Sequence, residues 1–246
     1  KKNKIAISNY KKIFINLNDK EIKKKVLESW ENLGRTFFEL SILQKILYKK
    51  NKIIEIKGIE NIQSSIKKKE QIIFFGIHQS NWEICVPIID SLGIDVGAIY
   101  RHINNKFIDK IIFNKRTKSL SSKNSFYTPK GKKSAKDILQ AIQSNKSLFL
   151  LVDQKDSAGE DVKFFNINTK TQTGFIKIAR KYNLNLVPVK NIRNKKNNFT
   201  ITFCQPIKLN NKNLSDSESM LVIHKILEKW ILENPTQWLW QHNRFN

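Results

Sequence analysis

From residue 52 onward, short apolar runs alternate with segments whose apolar residues recur every three or four positions. Runs such as QIIFFGI (71–77) and SLFLLV (147–152) have the length of a strand and offer no polar face. Segments such as NKFIDKIIFNK (105–115) have the periodicity of a helix. Strands that are apolar on both sides and separated by helices are typical of a parallel sheet covered on both faces. The pattern predicts an α/β fold with a mainly parallel central sheet and helices on both faces.

The same pattern assigns positions to the individual elements. Strands are predicted at 52–58, 71–77, 95–100, 147–152, 184–190 and 199–204. Helices are predicted at 105–115, 133–145, 173–183 and 215–234, with a short one that begins near Asn81, a good N-cap. The basic stretch 118–136 is interpreted as a solvated loop. Because no repeat and no linker rich in proline or glycine divides the chain, we expect residues 1–246 to form one domain.

Residues 19–48 are predicted to form an N-terminal helical segment, with Asp19 as its N-cap. Apolar residues at three- and four-residue steps form its expected buried stripe: Val26, Trp30, Leu33, Phe37 and Leu40. A second stripe consists of Phe38, Ile42 and Ile46. Two stripes exceed what one buried face requires, so two interpretations stay open. Either the second stripe packs in the core, or it contacts a membrane surface.

Polar side chains follow three of the predicted strands. His78 comes directly after 71–77, Arg101 after 95–100, and Asp153 with Gln154 after 147–152. Ligands of such sheets bind beyond the carboxyl ends of the strands. If these strands are neighbours, the four side chains converge on one edge of the sheet, where we predict a binding or catalytic site.

His78 and Glu83 lie five residues apart at the end of a buried strand. We expect the carboxylate of Glu83 to reach one imidazole nitrogen and leave the other free as a general base, an arrangement worth about 10²–10⁴-fold in rate. The alternative is a structural histidine and a carboxylate that the helix dipole favours. The other histidines lack metal-ligand spacing with His78, so no metal is expected.

Charge distinguishes this chain from an average globular protein. It has 45 basic and 21 acidic residues, a formal net charge of +24. Such an excess attracts anionic partners. A coding bias towards A and T, which would also enrich Lys, Asn and Ile, is the alternative explanation. A nucleic-acid-binding protein is the alternative class, but no reading motif and no basic surface interleaved with aromatics is apparent. Two isolated cysteines, Cys85 and Cys204, favour a reduced, cytosol-facing location.

Four blocks in order carry a resemblance to a known family. GIHQSNWE resembles the H-x-x-x-x-E signature of glycerolipid-type acyltransferases, in the form found in the late acyltransferases of lipid A biosynthesis. IYRHINNKFIDKIIFNKR resembles their tyrosine–arginine block, and LLVDQKDSAGEDVKFFNINTKTQTGFIKIARKYNLNLVPV resembles their D-Q block and the segments after it. NPTQWLWQHNRF resembles their terminal block. The resemblance covers the chain from about Asn9.

The resemblance implies a glycerol-phosphate-acyltransferase-like fold and transfer of a fatty acyl chain from acyl carrier protein to a hydroxyl of a lipid A precursor, without a cofactor. A lysophospholipid, aminolipid or other glycolipid is the alternative acceptor. Family members usually begin with a membrane-spanning helix just upstream of where this sequence starts. The resemblance therefore implies an anchor before Lys1 and a location at the cytoplasmic face of the inner membrane. Two positions depart from the family pattern: Asn166, where Gly is usual, and Asn243, where Arg is common.

The family's histidine falls on His78 and its glutamate on Glu83, which the resemblance makes the catalytic pair. Its arginine falls on Arg101, expected to hold an anionic phosphate or sugar acid. Its acidic residue falls on Asp153, expected to bind acceptor hydroxyls or Arg101. Gln154 and Arg116 are further substrate-binding candidates. Backbone N–H groups near Ser80 or Arg101 are candidate donors to the oxyanion of the reaction.

Overall fold

The computed structural model describes residues 1–209 and 213–245, without the side chains of residues 132 and 133. Its central sheet contains the strands β1 (Ile54–Lys57), β2 (Ile72–Gly76), β3 (Val96–Tyr100), β4 (Phe126–Pro129), β5 (Ser147–Leu151), β8 (Asn185–Arg193) and β9 (Phe199–Phe203). These strands lie side by side in the order β1-β9-β8-β2-β5-β3-β4. All neighbouring pairs are parallel except β8 and β9. The prediction of a mainly parallel sheet is confirmed.

Helices cover both faces of this sheet. They are α1 (Lys2–Ile13), α2 (Asp19–Ser41), α3 (Leu43–Tyr48), α4 (Lys50–Ile53), α5 (Glu60–Lys68), α6 (Cys85–Asp90), α7 (Lys106–Lys118), α8 (Lys132–Gln143), α9 (Gly174–Lys181) and α10 (Asp216–Glu233). Short 3₁₀ turns lie at Trp82–Ile84 and Pro235–Gln237. No helix within the described residues is both long enough and apolar enough to cross a bilayer.

Strand β2 supplies side chains to two separate cores because successive side chains of a strand point to opposite faces. Ile73 and Phe75 belong to a core with α1, α2, α9 and α10. Ile72 and Phe74 belong to the core on the other face, with α3, α5, α6 and α7. All five residues of the strand are buried. The strand end that carries His78 is therefore fixed from both sides.

The N-terminal helical segment differs from its prediction in three ways. Asn18, not Asp19, is the N-cap of α2, because its side chain accepts from the backbone N–H of Glu21 while the Glu21 side chain accepts from the N–H of Asn18. The helix stops at Ser41, and α3 follows after Ile42. The buried stripe of α2 is Ile22, Val26, Ser29, Asn32, Thr36 and Leu40, and Phe37 is exposed.

Several elements were not predicted. The stretch 118–136 is not a loop, since it contains β4 and the start of α8. A separate antiparallel hairpin consists of β6 (Lys155–Phe164) and β7 (Ile167–Thr171). Its two-residue turn, Phe165 and Asn166, has positive φ at both positions. Asn tolerates this left-handed backbone, which explains how it stands at a position where the family usually has Gly.

Candidate active site

His78 and Asp153 meet because their strands are paired in register. Gly76 at the end of β2 lies opposite Leu151 at the end of parallel β5, so each side chain follows two residues beyond its strand. Nδ1 of His78 lies 2.7 Å from Oδ1 of Asp153, and the backbone N–H of His78 donates to Oδ2 at 3.1 Å. The side chain of Asp153 is 2% exposed. Two donors on one residue hold both oxygens of a buried carboxylate.

A third donor reaches Asp153 from the C-terminal segment. Nε1 of Trp238 donates to Oδ2 of Asp153 at 2.8 Å. Burial acts to raise the pKa of Asp153, but the charge of His78, the hydrogen bonds of its ring and backbone and that of Trp238 outweigh burial and lower the pKa. Asp153 is therefore an ionised acceptor. It requires a proton on Nδ1 of His78 and leaves the lone pair on Nε2.

The imidazole of His78 is partly exposed and has three side-chain neighbours. Its side chain is 17% exposed, and the Nε2 amide nitrogen of Gln154 lies 3.3 Å from its Nε2. The ring of Trp82 packs edge-on against the imidazole, with 5.1 Å between ring centroids. Asp153, Gln154 and Trp82 together hold the imidazole in one orientation.

Glu83 does not contact His78, which corrects the expected pairing. Its carboxylate forms a two-point pair with Arg116, with Nε to Oε2 at 2.7 Å and Nη2 to Oε1 at 2.6 Å. Oε1 also accepts from Nε1 of Trp82 at 3.0 Å. Asp153 already occupies Nδ1 of His78, and a bidentate guanidinium is a stronger partner for a carboxylate than a single ring nitrogen. The expected orienting role therefore falls to Asp153, while Glu83 holds Trp82 and Arg116.

The two arginine candidates differ in their surroundings. Arg101 is exposed one residue beyond β3, at the same edge of the sheet as His78, and no partner for its side chain is found in the described part of the chain. Arg116 is largely buried on α7, and its guanidinium is engaged by Glu83. The structure thus groups His78, Asp153 and Gln154, pairs Glu83 with Arg116, and leaves Arg101 separate on the rim.

Helix α2 holds the loop that carries His78. Oγ1 of Thr36 donates to the carbonyl of Ser80 at 2.8 Å, and Nδ2 of Asn81 donates to Oε2 of Glu39 at 2.9 Å. The N–H of Ser80 donates to the carbonyl of Gln237 at 2.9 Å. This N–H is therefore occupied and is not the oxyanion donor that the sequence suggested near Ser80.

The C-terminal segment contributes residues that sequence reasoning did not assign to the site. Besides Trp238, His242 accepts from the N–H of Lys155 through Nε2 at 2.9 Å. Burial lowers the pKa of His242 to about 4, although Asp153 acts in the opposite direction. His242 is thus neutral at pH 7 and fixes the chain just after Gln154. The terminal block NPTQWLWQHNRF is recognisable in the sequence only by its resemblance to the family. Nothing in its residue spacing predicts a contact with the residues that follow β5.

No group of three or more His, Cys, Asp or Glu side chains suited to a metal ion occurs among residues 1–209 and 213–245. His224, which is fully buried, accepts from Nη2 of Arg244 at 3.3 Å and lies in the core rather than at the strand ends.

The fold and the site define an α/β protein with a histidine–aspartate pair at the carboxyl edge of its sheet. Residues 1–246 match the family described as Bacterial lipid A biosynthesis acyltransferase. The chain belongs to this family.

Two curated relatives match at low identity. The lipid A biosynthesis palmitoleoyltransferase of Escherichia coli (strain K12) is 21% identical over 98% of this chain and 78% of its own length. The lipid A biosynthesis acyltransferase of Shigella flexneri matches with the same identity and coverage. Among solved structures, the 1-acyl-sn-glycerophosphate acyltransferase PlsC from Thermotoga maritima is 14% identical, covers 95% of both chains and has a TM-score of 0.47.

Proposed function

We propose that residues 1–246 form one acyltransferase domain, which moves a fatty acyl chain from acyl carrier protein to a hydroxyl of a lipid A precursor. The observation that carries this proposal is the pair of His78 and Asp153, in which a buried carboxylate orients a partly exposed imidazole and leaves the lone pair on its Nε2. Such a nitrogen activates a hydroxyl that the acceptor itself supplies, so the protein needs no nucleophile of its own. Family membership supplies the reaction class.

In the proposed reaction, Nε2 of His78 takes the proton of the acceptor hydroxyl. The oxygen attacks the thioester carbonyl carbon, and the tetrahedral intermediate collapses as the carbon–sulfur bond breaks. The carrier thiolate leaves and takes the proton back from the imidazolium. Asp153 stays ionised throughout and stabilises the imidazolium, as the lowered pKa of its carboxyl requires.

The remaining site residues act on positioning and binding. The amide of Gln154, 3.3 Å from Nε2 of His78, is placed to hold the acceptor hydroxyl or to donate to the oxyanion. Glu83 keeps Trp82 against the imidazole and fixes Arg116. Arg101, exposed on the rim, binds an acceptor phosphate, while Arg116 stays paired with Glu83.

The charge of the chain fits the proposed partners. A net charge of +24 attracts an acidic carrier protein, an anionic lipid A precursor and an anionic membrane surface. We propose that the enzyme works at the cytoplasmic face of the inner membrane, where these partners meet. Attraction of this kind weakens as ionic strength rises.

The proposal is tested by offering the purified protein a set of labelled acyl carrier protein thioesters with a panel of lipid acceptors. The panel contains lipid A precursors, lysophospholipids and other glycolipids, and mass spectrometry identifies the product. Acylation of a lipid A precursor that is lost in His78→Ala supports the proposal. Preferred acylation of a lysophospholipid replaces the acceptor class, and full turnover by a folded His78→Ala variant rejects His78 as the base.

A further inference from the structure

Large apolar side chains are exposed on three helices that pack together. Helix α7 packs against α2 and α3. Phe38 of α2 is 81% exposed, Tyr48 of α3 91% and Phe107 of α7 74%. The exposed apolar residues of this region, called the α2/α3/α7 face below, are Phe37, Phe38, Ile42, Tyr48, Phe107, Ile108 and Ile111. A cluster of this kind marks a surface that meets an apolar partner.

Positive charge surrounds the α2/α3/α7 face. The exposed lysines are Lys45 on α3, Lys49 directly after α3, Lys52 on α4, and Lys106 and Lys110 on α7. In the part of the chain that the structure describes none of them forms an ion pair. A groove of about 470 Å³ lies along α3 and the end of α4, lined by Ile42, Gln44, Lys45, Ile46, Tyr48, Lys49 and Ile53. Apolar side chains flanked by unpaired lysines complement a surface with a fatty interior and anionic headgroups.

The same helices hold the catalytic loop. On α2, Thr36 and Glu39 bind Ser80 and Asn81, while the intervening Phe37 and Phe38 are exposed. On α7, Arg116 binds Glu83. A surface that contacts the α2/α3/α7 face therefore lies against the helices that position the His78 loop. We propose that the α2/α3/α7 face docks on an anionic lipid bilayer and holds the active site at headgroup level.

This inference names the membrane-contacting surface of the proposed function, but its binding test needs no acyl transfer. Vesicles of equal parts phosphatidylglycerol and phosphatidylcholine are floated with the 246-residue chain. Phe38→Ser with Phe107→Ser is expected to reduce the bound fraction roughly tenfold or more, since two large apolar side chains leave the lipid. Lys45→Glu with Lys49→Glu is expected to reduce the bound fraction about fivefold for each lysine replaced, and this reduction becomes smaller in high salt.

Matched controls separate the face from a general loss of apolar or basic surface. Leu139→Ser with Leu232→Ser changes two exposed leucines on α8 and α10, and Lys195→Glu with Lys196→Glu makes the same charge change in the β8–β9 loop. Both controls are expected to float like the unaltered chain. Equal flotation of the face variants and their controls overturns the proposal.

Other occupants of the face predict different results. If the face binds a second copy of the chain, the face variants change the oligomeric state and keep vesicle binding. If it binds acyl carrier protein, they lose carrier binding and keep vesicle binding. Either result overturns bilayer docking. Failure of acyl transfer in every variant, with flotation lost only in the face variants, rejects the proposed reaction and leaves the docking surface intact.

Discussion

The carboxylate of Asp153 accepts from Nδ1 of His78 at 2.7 Å, across 75 residues of sequence. Asp153→Asn places an amide where the site needs an acceptor, so the imidazole is no longer held with its proton on Nδ1. We expect kcat to fall roughly 10³-fold or more while the fold persists. The measurement is steady-state acyl transfer, with thermal unfolding as the control. A variant with near-normal kcat would show that the pair does not orient the base.

Glu83 and Arg116 form the second charged pair near His78, with 7% and 14% side-chain exposure. Glu83→Gln leaves the guanidinium without its anion in a largely buried place, so we expect the free energy of unfolding to fall by about 3 kcal/mol. Arg116→Ala is expected to cost a similar amount. Because both changes break the same pair, the double variant loses less than their sum. Additive losses in urea unfolding would contradict a coupled pair.

Trp238 supplies the third hydrogen bond to Asp153, at 2.8 Å. Trp238→Phe keeps an aromatic ring and removes the donor. We expect kcat to fall roughly 10-fold to 100-fold with the KM for the acceptor unchanged, since a hydrogen bond to a charged group contributes about 1.5–3 kcal/mol. Trp240→Phe is the matched control, because its indole donates to the carbonyl of Pro235 rather than to Asp153. Equal kcat in the two variants would assign Trp238 to packing alone.

The strands were predictable where a local pattern determines them. Strand β2 is buried on both faces, and its apolar run reports this directly. Strand β6, by contrast, alternates buried and exposed residues only near its end and contains Gly159, so no period identified it. The N-cap of α2 was misplaced by one residue because Asn18 and Asp19 are both good caps, and only the reciprocal bond to Glu21 decides between them.

The site was predictable as a place but not as a set of partners. Local spacing put Glu83 near His78, and the resemblance favoured the same pair. The structure gives Asp153 that contact because the register of β2 and β5 aligns Gly76 with Leu151. Trp238 reaches the same carboxylate from the far end of the chain. Contacts between residues so distant in sequence depend on strand pairing and tertiary packing, which a single sequence does not reveal.

Arg101 is expected to act on acceptor binding rather than on chemistry. Its side chain is exposed at the rim, and it makes no hydrogen bond to His78, Asp153 or Gln154 in the described structure. Arg101→Ala should raise the KM for a phosphorylated acceptor about tenfold and leave kcat nearly unchanged. Arg101→Lys, which keeps the charge and loses the fork, should lie between. Unchanged KM in both variants places Arg101 outside the acceptor site.

Stability is expected to fall on mild acidification because two neutral histidines are shielded from solvent, His224 fully and His242 in part. Burial lowers the pKa of His224 to about 3 and that of His242 to about 4, both from an ordinary value of 6.5. Below pH 6.5 the unfolded chain binds protons that the folded chain does not, so the free energy of unfolding decreases as pH falls towards these values.

His224→Gln tests this pH dependence, since a glutamine side chain can both donate to the carbonyl of Lys163 and accept from Arg244 but does not titrate. Urea unfolding at several pH values between 7 and 4.5 gives the slope. In the lower part of this range, the slope of the free energy of unfolding against pH should be smaller in the variant by about 1.4 kcal/mol per pH unit. The variant is expected to be less stable at pH 7, so the slope rather than the absolute stability decides. A slope equal to that of the unaltered chain would mean that His224 takes up its proton without unfolding.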